Sequence, residues 1–158
     1  MKTFIRLLTI HLLALIVAGS VSSQEKAASV DPLQAYYDIK EALISSNASL
    51  AGAKATQLIN AIKANEKTGA SKVLREKILS EAEHIAGSKD IEHQRDRFTS
   101  LSTDFYAFAK AIKLNDKPVY YAYCPMKKSY WLSDSEAIRN PYYGDKMLTC
   151  GKIAEVFK

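Results

Sequence analysis

Only two cysteines, Cys124 and Cys150, occur in 158 residues, and they are not spaced as Cys-x-x-Cys. That excludes thioredoxin-type exchange, and the absence of Cys-x-x-Cys-His excludes covalent haem attachment of the c type. Glycine is scarce, with six residues, and none form a phosphate-cradling loop. No serine lies in a recognisable nucleophile motif. Asp38, Glu41, Glu76, Glu81 and Glu92 fall on polar faces of predicted helices, which does not define a catalytic carboxylate pair. A catalytic site is therefore not expected. Basic side chains are interspersed with acids and make no stripe with stacking aromatics, so nucleic acid is excluded as a partner. Internal repeats and low-complexity tracts are also missing.

One apolar run stands out against this background. Lys2 and Arg6 precede an apolar stretch from Leu7 to Ala18, broken only by Thr9 and His11. Small residues Ala18-Gly19-Ser20-Val21-Ser22-Ser23 follow, and then Gln24-Glu25-Lys26. Charge, a short apolar helix and small side chains, in that order, are the requirements of a cleavable secretory signal. The run is shorter than the roughly 17–25 residues that a spanning helix needs. Residues 1–23 are read as a signal peptide cut near Ser23 and residues 24–30 as a disordered lead. No cysteine lies near the cut, which argues against a lipoprotein. The expected location is periplasmic or secreted, with no direct membrane insertion after cleavage. Losing Lys2 and Arg6 lowers the formal net charge of +5 by two. An oxidising compartment also permits Cys124 and Cys150 to pair.

From residue 31 the pattern is helical. Asp31-Pro32 is an N-cap with Pro at the first helical position. The spacing predicts helices over about 31–46, 49–65, 71–86 and 90–114. Ser49 is read as the cap of the second, Ser71 of the third and Asp90 of the fourth, with Gly87 just past the end of the third. Ile91, Phe98, Leu101, Phe105, Phe108 and Ile112 form the longest apolar stripe. Four amphipathic helices with short connections imply an all-α, four-helix antiparallel bundle within one domain, residues 31–158.

After Asn115-Asp116-Lys117-Pro118 the texture changes. Val119-Tyr120-Tyr121-Ala122-Tyr123 is β-prone but too short to separate strand from extended loop. The segment 119–151 is rich in Pro, Tyr, Gly and Cys, and is expected to be irregular and packed on the bundle. Cys124-Pro125-Met126 and Met147-Leu148-Thr149-Cys150 each bring a thiol and a thioether together, in opposite order. Folded against each other, they would present Cys124, Met126, Met147 and Cys150 to one soft ion such as Cu(I). The alternative is a Cys124–Cys150 disulfide, worth about 3.5 kcal/mol on the chain-entropy model, with the methionines as packing. His84 and His93 flank the turn between the third and fourth helices and are candidate additional ligands, though their spacing matches no usual zinc pattern.

The runs Tyr120-Tyr121-Ala122-Tyr123-Cys124-Pro125-Met126, Trp131-Leu132-Ser133, Ile138-Arg139-Asn140-Pro141-Tyr142-Tyr143-Gly144 and Lys146-Met147-Leu148-Thr149-Cys150-Gly151 are distinctive together. With Ile91-Glu92-His93-Gln94-Arg95 and Phe98-Thr99-Ser100-Leu101-Ser102, they resemble domain-of-unknown-function family 3347. Members occur as small exported proteins and as a C-terminal domain of periplasmic adaptors in heavy-metal efflux systems. The resemblance implies a copper- or silver-type metal-binding or efflux accessory role, with an efflux adaptor or another periplasmic protein as partner. The competing expectation is a non-catalytic interaction module stapled by its cysteines. One departure is that many members carry His directly before Cys-Pro-Met, where this chain has Tyr123. The insert before Trp-Leu-Ser is also short, only Lys127-Lys128-Ser129-Tyr130.

Overall fold

The structure, a computed structural model, describes residues 31–65, 69–112 and 117–158. The expected signal peptide and lead lie outside the described residues, as do positions 113–116. Each helix starts where a short polar side chain can satisfy an orphan backbone N–H. Helix α1 (Pro32–Ile44) is capped by Asp31, whose carboxylate accepts the Leu33 N–H at 3.0 Å. Helix α2 (Ala48–Ala64) is capped by Asn47 and not by Ser49. Asn47 Oδ1 accepts the Leu50 N–H at 3.0 Å, after a reversal in which Ser46 takes a positive φ of 53°. Helix α3 (Lys72–Gly87) starts at Ser71, whose Oγ accepts the Leu74 N–H. Gly87 is its last helical residue, with Ser88 as the C-cap. Helix α4 (Ile91–Ile112) begins at Asp90, which takes the Glu92 N–H on its carboxylate and the Gln94 N–H on its carbonyl.

Consecutive helices pack on one another, and α1 also touches α4. The apolar positions that recur at helical spacing form the core. Leu33, Tyr36, Ile39 and Leu43 of α1 are buried with Leu58 and Ile62 of α2, Ile78 and Ile85 of α3, and Phe98, Leu101, Phe105 and Phe108 of α4. Tyr36 stacks on Phe98 and Phe105, with ring centroids 5.1 and 4.7 Å away.

The expectation of an all-α fold with an irregular C-terminal segment is overturned. Three strands, β1 (Val119–Cys124), β2 (Ser129–Ser133) and β3 (Lys152–Phe157), form an antiparallel sheet in the order β2-β1-β3. The physical reason lies in pairing. The β-prone run of β1 meets Tyr130-Trp131-Leu132 across a turn of residues 125–128, in which Lys128 takes a φ of 55°. Its other edge takes up the alternating Lys152–Phe157, which the sequence presents as a tail. A register shift between Tyr121 and Ala122 lets β3 follow β1. Period-2 alternation sends Ala122, Cys124 and Trp131 to one face, and Tyr121, Tyr123 and Tyr130 to the other.

Polar side chains fasten this sheet and the connecting segment to the helices. The Tyr36 hydroxyl accepts the Leu132 N–H at 3.1 Å and lies 2.6 Å from Ser102 Oγ, joining α1, β2 and α4. Its burial pushes the phenol well above its ordinary pKa, so it stays protonated. Arg95 of α4 is buried, with its guanidinium fully engaged. Nε donates to Pro141 O (3.1 Å), Nη1 to Glu92 (2.9 Å), and Nη2 to Leu43 O and Ser46 Oγ (2.9 Å each). It thereby adds a second donor to the Leu43 carbonyl, which also takes the Ser46 N–H, while holding the 140s segment in place. Gly144, with φ of +54°, lies against it; a Cβ there would come 2.6 Å from Arg95 Nη2 and 2.9 Å from Ile44 O. Buried Lys40 reaches Ser133 Oγ and Asp134 across the same seam.

Candidate functional site

The two cysteines meet at the end of the sheet. Cys124, the last residue of β1, is fully buried, and Cys150, two residues before β3, is half-buried. The register that sets Tyr123 opposite Lys152 brings Cys124 alongside the Cys150-Gly151 step. Gly151 is required there, because a Cβ would stand 2.7 Å from the Trp131 ring and 3.0 Å from Tyr123 O. Asn140, also fully buried, fixes the approach. Its Nδ2 donates to Cys150 O at 2.7 Å, its Oδ1 accepts the Tyr142 N–H at 2.8 Å, and its own N–H donates to Leu148 O at 2.8 Å.

The sulfurs are unbridged thiols close enough to interact electrostatically. The turn after β1 turns backbone donors toward them. The Lys127 N–H donates to Cys124 Sγ at 3.4 Å, and the Met126 backbone favours the Cys150 thiolate. Lys127 Nζ ties the turn to Asp96 of α4. Desolvation pushes the Cys150 thiol up, the neighbouring Cys124 sulfur adds to the rise, and the Met126 backbone opposes it. Trp131 and Tyr142 stand edge to face at 6.1 Å beside the pair, and the Tyr142 hydroxyl donates to Tyr130 O. Chemically, two adjoining thiols with N–H donors can give up their protons to a soft cation, or lose two hydrogens to an oxidant and form a bridge.

The other candidate ligands are placed differently. Met126 sits on the turn with 62% of its surface exposed. Met147 is half-buried in a short 3₁₀ turn (Gly144–Met147), and its carbonyl accepts the Cys150 N–H at 3.1 Å. His84 and His93 lie at the α3–α4 turn with their ring centroids 6.3 Å apart. Among the described residues no group of three or more His, Cys, Asp or Glu side chains is arranged to hold a metal ion, so the histidines do not join the cysteines in such a cluster. Tyr123, at the position where the resemblance leads one to expect histidine, packs on Tyr130 at 4.6 Å on the face opposite Cys124. Residue 123 therefore points away from the sulfurs, and the replacement takes no ligand from them.

Arg95, Asn140 and Gly151 position this site without having been singled out for it in the sequence. The only local signals were Asn140 before Pro141 and Gly151 directly after a cysteine.

The described residues thus define a class, a four-helix bundle closed by a three-stranded antiparallel sheet that carries a thiol pair at its end. The chain belongs to the family described as proteins of unknown function (DUF3347), which matches residues 33–117. The match covers the helices and stops before β1, so the thiol pair lies outside it. Comparison with curated proteins and with solved structures gave no match.

Proposed function

We propose that this protein is an exported, non-catalytic binder of a soft monovalent ion, Cu(I) or Ag(I), held between Cys124 and Cys150. The observation that supports this reading is the placing of two interacting thiols side by side by the strand register, with the Lys127 N–H on Cys124 Sγ. The backbone N–H groups favour the charged thiolate, the form that binds metal, and oppose the burial that raises the Cys150 thiol. Two thiolates suffice for a soft d¹⁰ ion, and thioethers share that preference. Met126 is exposed on the same turn, and Met147 precedes Cys150 by one 3₁₀ turn, so both serve as rim ligands during entry and release. An efflux adaptor or similar periplasmic partner would receive the ion.

Residues 24–158, kept reduced, should take up one equivalent of Cu(I) in competition with a colorimetric chelator. Cys124→Ser and Cys150→Ser should each abolish this uptake. Because the Cys150 proton is held more tightly than usual and must leave on binding, apparent affinity should rise with pH between pH 6 and 9. Stoichiometric Cu(I) binding by the double serine variant would overturn the ligand assignment. The same placing of the thiols favours a second reading, a permanent Cys124–Cys150 staple in an interaction module. A chain two hydrogens light by intact mass, resistant to mild reductant and free of copper, would establish that instead.

A further inference from the structure

The turn between α3 and α4 carries a second constellation that the thiol pair does not use. His84 lies in the last turn of α3 and His93 in the first turn of α4. Their ring planes are inclined at 69° with centroids 6.3 Å apart. Among the described residues neither imidazole takes part in a hydrogen bond or an ion pair, and each ring's contact is with the other. Both line an open depression of about 400 Å³, together with Glu83, Ser88 and Asp90.

The geometry suits a shared ion. A metal bound by an imidazole nitrogen at about 2.0–2.1 Å lies about 3.2 Å from that ring's centroid. Two rings on one ion therefore have centroids about 5–6.4 Å apart, depending on the N–metal–N angle. The observed separation is near the wide end of this span, that of two rings on opposite sides of an ion, and exposed His84 can turn its ring to reach the about 5.2 Å of a tetrahedral pair. The backbones are already fixed. Gln94, the residue after His93, donates through Nε2 to the carbonyl of Ile85, the residue after His84, at 3.1 Å, and also to Ser88 O and Ala48 O. The backbones that carry the two histidines are thus held at a set spacing by the buried Gln94 side chain.

We infer that His84 and His93 form a second metal site, separate from the thiol pair, which takes a borderline divalent cation of the Zn(II), Ni(II) or Cu(II) group through both imidazoles. Imidazole prefers such ions, whereas thiolates select the soft monovalent ones, so the two sites differ in the ions they hold. No third His, Cys, Asp or Glu completes a ligand group among the described residues, so water fills the remaining positions and the ion exchanges readily. The Glu83 and Asp90 carboxylates on the wall of the depression supply attraction without coordination.

The test is ¹H–¹⁵N imidazole NMR of the wild-type chain titrated with zinc chloride, which reports each ring by itself and leaves thiols unoxidised. The His84 and His93 signals should shift together and saturate at the same zinc concentration. His84→Ala should weaken saturation at His93 at least tenfold, and His93→Ala should do the same at His84. Cys124→Ser should leave both curves unchanged, which separates this site's failure from that of the sulfur site. Rings that do not respond, that saturate at different concentrations, or whose response survives loss of the other ring would overturn the assignment.

Discussion

The helical bundle and the C-terminal sheet are stabilised by different means. The bundle is held by apolar stripes, in which Leu58, Ile78, Ile85 and Phe108 meet other side chains of their own kind. The sheet pairs through its backbone and shares the apolar core through Val119, Ala122, Trp131 and Leu132, but its position on the helices is also fixed by buried polar groups, namely Tyr36, Lys40 and Arg95, with Asn140 bracing the segment that leads into β3. Apolar packing tolerates small shifts, whereas a buried guanidinium with its partners out of place costs several kcal/mol. The first arrangement secures the fold, and the second fixes one position of the sheet relative to the bundle. The sulfur site needs the second, because its atoms come from β1 and from the segment that Arg95 and Asn140 hold.

Three measurements test this difference, with Trp131, the only tryptophan, reporting on the sheet and far-UV circular dichroism on the helices. The largest effect is expected for Phe98→Ala. Phe98 stacks on Tyr36 and also meets Tyr142 at 6.1 Å, so its loss should cost about 4 kcal/mol in urea unfolding. Both probes should shift together, because the ring serves both regions. Next comes Arg95→Ala, which removes the guanidinium donor from buried Pro141 O and one of the donors to Leu43 O, and should cost about 3 kcal/mol. Here the Trp131 transition should move ahead of the helical one. Coincident transitions would show that the sheet is held mainly by packing.

The smallest effect concerns Asp134. Partial desolvation pulls its carboxyl up, but the hydrogen bond and charge of Lys40 outweigh this and hold it below its usual value. A depressed folded pKa adds stability above the ordinary carboxylate value of about 3.9 and loses it as pH falls through the lowered one. Asp134 is mostly exposed, so Asp134→Asn should cost only about 0.5 kcal/mol at pH 7. That difference should vanish near pH 2, and a gap that persists there would mean the carboxylate's charge is not what binds Lys40.

The contrast also explains which parts could be read in advance. The stripe from Ile91 to Ile112 repeats over six turns, and Asp31, Ser71 and Asp90 are local start signals, so the bundle is written in short-range pattern. The sheet is not. Val119–Tyr123 is too short to declare itself, and its partner β3 lies about 30 residues away behind a register shift that no local pattern encodes. Arg95, Gln94 and Asn140 occupy fully interior positions, yet an apolar count treats each as surface. The pairing of Cys124 with Cys150 could be conceived from their mirrored Cys/Met order. Their contact through Gly151 and the Trp131 ring could not, since it depends on the strand register.

That register has a consequence for how the thiols behave. Backbone pairing of β1 with β3 brings the sulfurs together before any metal or oxidant arrives, so each sees the other at an effective concentration far above that of a free thiol in solution. Under the proposed function the pair would act as a chelate. An ion that lost one sulfur would be recaptured before it diffused away, and a competing monothiol would have to displace both ends in turn. Release would then be governed by whatever enters beside the exposed Met126, the one sulfur of the segment that solvent reaches freely.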